Sequence, residues 1–245
     1  SSFAESRPGR FHAGLDVKTW GQVGFNIVAI RDGYVSRIRV SPFGYGKAIY
    51  LTLDTGEVVV YGHLQKFNPE IEAYVWGQQQ KRDMYSQDLF PGSNLFKYQQ
   101  GDTLGITGQT GIGYPHLHFE MRDTAGRPFN PFLKGYTVND RVRPIVTRIS
   151  VMPLDALSTV NGDWRPVRLS PTHLGGGKYR ITTPINVTGR IALGVSAYDQ
   201  MTEITNKFGV YINELYVDEQ LVFKSQYDRY TYATNYHAKL DRDYR

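Results

Sequence analysis

The chain contains no cysteine among its 245 residues. That excludes disulfides and thiolate metal sites, although it does not separate a reducing from an oxidising compartment. No apolar run approaches the roughly 18 residues of a membrane-spanning helix. A strong charge of one sign is missing too: the net charge is +5, with 13 basic and 12 acidic side chains in residues 1–133 and 15 and 11 in residues 134–245. Neither half is the basic stripe of a nucleic-acid binder, and ordinary surface charge accounts for the small excess. There is no initiator methionine and no apolar leader, as expected of a mature form. No internal repeat is visible. Hydrophobic and charged fractions of 40% and 21% are those of a soluble globular protein, and the length suits two domains, each with its own core.

Histidine is scarce as well, at six residues, yet four of them fall in three short motifs: His12-Ala-Gly-Leu-Asp16, Tyr61-Gly-His63-Leu64 and His116-Leu117-His118-Phe119-Glu120. Imidazole and carboxylate suit Zn²⁺, whose catalytic sites take three protein ligands and leave one position open. Around the last motif, Tyr114-Pro115 and Phe119-Glu120-Met121 predict an extended strand. Side chains two residues apart share a strand face about 7 Å apart, so His116 and His118 face the same way. Glu120 is expected on the opposite face and therefore as a poor general base. Four residues of straight strand span about 13 Å, too far for His12 and Asp16 to meet. The chain must turn between them, and Gly14 permits the bend.

The three motifs, in this order, resemble those of the LytM/lysostaphin-type zinc metallopeptidases. The resemblance extends to Asn26-Ile-Val-Ala-Ile-Arg-Asp-Gly33-Tyr-Val, Gly44-Tyr-Gly46-Lys-Ala-Ile-Tyr and Gly101-Asp-Thr-Leu-Gly105-Ile-Thr-Gly108-Gln-Thr-Gly111, and so covers residues 11–131. It implies that His12, Asp16 and His118 bind one Zn²⁺, and that His63 and His116 are catalytic histidines flanking a metal-bound water. The implied activity is hydrolysis of peptide bonds in bacterial cell-wall peptidoglycan, in a periplasmic or extracellular location. The chain departs from the family pattern twice. Gly111-Ile-Gly-Tyr-Pro-His116 is one residue shorter than usual, and the segment between His63 and Gly101 is longer.

The predicted fold class is all-β. Residues 27–30, 34–40, 48–53 and 57–61 are β-branched and aromatic runs punctuated by glycine, and Asp54-Thr-Gly56 reads as a tight turn. An antiparallel sheet groove over residues 1–135 would carry the metal on its floor. Residues 66–100 interrupt the pattern with several aromatics. They read as an inserted hairpin or helix packed by those aromatics, or as a wall of the groove. After a linker at 134–143, alternating strands over 143–245 predict a small immunoglobulin-like β-sandwich. Because every motif precedes Pro131, this second domain is expected to be dispensable for the chemistry. His173 reads as a loop residue, and His237 lies in a tyrosine-rich tail without ligand spacing.

Two other readings compete. One is a catalytically silent LytM-like module that binds and activates another cell-wall hydrolase, although such modules typically lack part of the ligand set. The other makes the sandwich the functional part and the metal a structural staple, which would normally need four ligands rather than three.

Overall fold

The computed structural model describes residues 1–240. They form two compact units. The first is Ser1–Tyr136 together with Tyr227–Tyr236; the second is Thr137–Gln226 with residues 237–240.

Unit 1 begins with a small hairpin of β1 (Ser6–Arg7) and β2 (Arg10–Phe11), followed by β3 (Leu15–Lys18), β4 (Asn26–Val28), β5 (Gly33–Val40), β6 (Lys47–Leu53) and β7 (Val58–Phe67). Helix α1 (Pro69–Arg82) precedes β8 (Gln87–Leu89), β9 (Lys97–Tyr98), β10 (Thr103–Thr107), β11 (His116–Arg122) and β12 (Pro128–Phe129). The main sheet runs β12-β11-β7-β6-β5-β8, with β3 added to β11, β10 to β7, β4 to β10 and β9 to β5. All of these pairings are antiparallel.

Alternation divides the two faces of this sheet. Ile49, Leu51, Val59, Tyr61 and Met121 belong to the large apolar core, joined by Leu104 from β10. The residues between them, Ala48, Tyr50 and Val60, form a smaller buried cluster against Tyr45 on the other face. Strand parity therefore gives one face to the core and leaves the other for polar side chains.

Residues 66–100 form α1, β8 and β9. The helix is capped by the Asn68 side chain, which accepts from Ile71 N at 3.0 Å, and it starts with a proline. Ile71 and Val75 enter the main core together with Leu89 and Phe96, while Trp76, Tyr85 and Phe90 are exposed. Because β8 and β9 pair with β5, the segment extends the end of the sheet away from β11.

Unit 2 is also antiparallel. Its four-stranded sheet has the order Val167–Leu169, Ile145–Pro153, Ile191–Met201, Ile204–Phe208, and Ile212–Val217 forms a ribbon with Gln220–Gln226. Tyr227–Tyr236, which follow Thr137–Gln226 along the chain, group with unit 1. No helix among the described residues is long and apolar enough to cross a membrane.

Candidate metal centre

Strand β11 organises the site because it is paired on both sides. His118 lies opposite Asp16 of β3 on one side and opposite Gly62 of β7 on the other. The approach of the chain to β3 is governed by Gly14, where an added Cβ would sit 2.3 Å from the Phe119 carbonyl oxygen. Its φ is not positive, so glycine serves close backbone approach rather than a left-handed bend. His12, just before it, is brought back over Asp16.

His63 is positioned by an irregularity. Between Gly62, the last β7 residue paired with β11, and Leu64, the first paired with β10, the chain places His63 at φ +63°. The register between β6 and β7 shifts at the same place. Left-handed backbone is costly for a non-glycine residue and persists only where surrounding bonds impose it. Here His63 N donates to Tyr45 O at 2.8 Å.

Hydrogen bonding fixes the tautomer of each histidine. The Nδ1–H groups of His12, His63 and His116 donate to the carbonyls of Ser2 (2.9 Å), Thr110 (2.9 Å) and Tyr114 (3.0 Å), leaving each Nε2 with its lone pair. His118 is reversed. Its Nε2–H donates to Glu120 Oε2 at 3.1 Å, which leaves Nδ1 as the available nitrogen.

The available atoms converge. His12 Nε2, Asp16 Oδ1 and His118 Nδ1 are separated by 3.0, 3.1 and 3.1 Å. His116 Nε2 is 3.4 Å from the same Asp16 oxygen, and the His63 ring centre is 4.7 Å from that of His116. Lone pairs this close repel unless a positive charge lies among them, so the arrangement has the chemistry of a cation site. The other Asp16 oxygen is taken by Arg7, whose Nη2 donates at 2.6 Å.

Burial works against the Asp16 carboxylate, but the surrounding imidazoles of His116, His118 and His12 hold it far below its usual range. Burial lowers His12 and brings His63 down to about 4 against the opposing pull of the Thr110 carbonyl. His63 is therefore neutral near pH 7. Burial also disfavours the His118 cation, yet the carboxylates of Asp16 and Glu120 outweigh it and raise this group.

Glu120 is not on the opposite face. Residues 116, 118 and 120 have the same parity, and a strand of period two sends all three side chains to one side. The buried carboxylate accepts from His118 Nε2, from Tyr45 OH at 2.7 Å, from Arg122 Nε at 2.6 Å and from Tyr232 OH. Burial pushes its pKa up, but His118 and Arg122 bring it down to about 2. Arg7, Tyr45, Arg122 and Tyr232 were not singled out from the sequence as site residues. Parity alone could have found Glu120, and nothing local could have found Tyr232, which lies 112 residues away.

Other sequence candidates lie apart. His173 is an exposed strand residue packed against the Tyr179 ring. Among the described residues, His12, Asp16 and His118 form the group of three able to hold a metal ion.

No family model and no curated protein matches the chain. Several solved structures do. The catalytic domain of a mutant of the prophage-encoded M23 protein EnpA from Enterococcus faecalis is 22% identical, with 56% of this chain and 90% of that chain covered and a TM-score of 0.38. The catalytic domain of the antimicrobial peptidase lysostaphin from Staphylococcus simulans is 20% identical, with 55% and 88% covered and a TM-score of 0.38. A zinc-containing peptidase from Vibrio cholerae is 24% identical, with 53% and 34% covered and a TM-score of 0.37. Of these three, the first is named as an M23 protein and the other two as peptidases.

Proposed function

We propose that the protein is a zinc-dependent endopeptidase that hydrolyses peptide bonds in bacterial peptidoglycan, acting in the periplasm or outside the cell. The observation that carries the reading is the convergence of His12 Nε2, Asp16 Oδ1 and His118 Nδ1 within 3.1 Å of one another. Ligands at 2.0–2.2 Å around a tetrahedral zinc stand about 3.3 Å apart, so this donor set suits one Zn²⁺. Bound there, zinc supplies a Lewis acid that polarises the scissile carbonyl and acidifies water.

The chain's own groups hold and move the protons. The bonds from Nδ1 to Thr110 and Tyr114 aim the Nε2 lone pairs of His63 and His116 beside the three donors. Between them, these two histidines accept the proton of the attacking water and stabilise the oxyanion or protonate the departing amine. Arg7 holds the second Asp16 oxygen and keeps the first turned inward.

The substrate class follows from the motif resemblance over residues 11–131. A silent hydrolase-activating module is disfavoured because the donor set is complete. Digestion of purified peptidoglycan by zinc-loaded protein, followed by mass spectrometry of the products, tests the reading. Cleaved cross-link peptides are expected, and their absence with a fully loaded protein would favour the silent module.

A further inference from the structure

The ten residues Tyr227–Tyr236 belong to unit 1 although the whole of Thr137–Gln226 separates them from it in sequence. They attach first at β12, where Asn130 N donates to Asp228 O at 2.8 Å and Tyr230 N donates to Pro128 O at 3.2 Å. The Tyr230 ring then stacks on Phe3 and tilts against Phe11, with centres 5.6 Å apart in both cases.

From there the segment reaches two of the three metal-site residues by separate routes. Along one, Tyr232 OH donates to Glu120 Oε1 while its ring lies 5.0 Å from the Arg122 guanidinium, which also donates to Oε1. With Oε1 held by these two donors, the carboxylate cannot rotate, and Oε2 stays at His118 Nε2. Along the other, Asn235 Oδ1 accepts from Phe11 N at 2.6 Å and Tyr230 OH donates to Phe11 O at 3.2 Å. Phe11 immediately precedes His12.

We propose that residues 227–236 act as a strap that sets the metal affinity of the centre, Tyr232 through Glu120 and His118, and Asn235 with Tyr230 through Phe11 and His12. These are positioning residues, and the inference rests on the metal reading above. Groups that orient metal ligands from behind typically change affinity by about 10–100-fold when removed. The strap follows that logic with a feature of its own: one segment braces two ligands from distant parts of the chain, His12 just after β2 and His118 in β11.

The test uses the full-length chain with Tyr232→Phe and Asn235→Ala. Zinc affinity is measured by competition with a chromophoric chelator, the visible spectrum of the Co²⁺-loaded protein reports ligand geometry, and melting of the metal-free forms reports the fold. Tyr232→Phe should bind zinc about 10-fold or more weakly, with a shifted Co²⁺ spectrum and a metal-free melting temperature close to wild type; Asn235→Ala should weaken binding as well. Wild-type affinity and spectrum in both variants would overturn the strap, as would a loss of metal-free stability without any change in affinity. Should Tyr232→Phe fail to fold, Asn235→Ala decides alone. Wild-type protein that takes up no zinc would instead sink the metal reading, and the strap with it.

Discussion

His118 Nε2 lies 3.1 Å from Glu120 Oε2, so the carboxylate behind the imidazole decides which of its nitrogens faces Asp16. Glu120→Gln keeps the shape but removes the charge, and zinc affinity should fall by about 10–100-fold in a chelator competition assay. The same group carries a pH signature. Its folded pKa is held down to about 2, below the ordinary value of about 4.3. A depressed carboxylate contributes stability that is present above the unfolded value and lost as pH falls toward the folded one. Metal-free wild type should therefore lose stability between about pH 4.3 and pH 2, and denaturant titrations should show a shallower acid slope for Glu120→Gln.

Removing any one of His12, Asp16 or His118 should abolish tight zinc binding, because two protein ligands do not make an adequate site. Elemental analysis of the alanine variants checks this. Near-stoichiometric zinc in them would refute the ligand assignment.

His63→Ala and His116→Ala should retain zinc and lose about 10²–10⁴-fold in hydrolysis, the usual contribution of general acid–base groups. For His63→Ala the φ of +63° persists as backbone strain, so melting should be measured alongside kinetics. Wild-type turnover in a folded, zinc-loaded variant would leave that histidine without a chemical role.

Residues 66–100 should matter for stability more than for substrate choice. Ile71 is fully buried in the main core, and Ile71→Ala should cost about 2–5 kcal/mol in denaturant unfolding. The zinc-loaded variant, where folded, should keep wild-type KM on defined muropeptides. A changed KM with unchanged stability would revive the groove wall.

Ending the chain near Gly135 should not be neutral. It removes Tyr230, Tyr232 and Asn235, and with them the bonds to Phe11 and Glu120. The shortened protein should melt lower and bind zinc more weakly than the full chain. Equal melting temperature and affinity would mean that these bonds contribute nothing.

What the sequence determined by itself was local and periodic. The strand at His116–Arg122, the common face of His116 and His118, and the turn at Asp54-Thr-Gly56 follow from side-chain alternation and turn chemistry within a few residues. Glu120 was legible by the same parity and was misplaced. The helix at Pro69–Arg82 was open between two readings because its aromatics are split between core and surface. Only the tertiary structure decided that Gly14 serves close packing against Phe119, that His63 sits where β7 changes partners, and that Tyr232 reaches Glu120. These depend on which strands pair and which distant segment returns. Pairing is fixed by the summed burial of a whole sheet, and a single hydrogen bond spanning 112 residues leaves no trace in any short window of sequence.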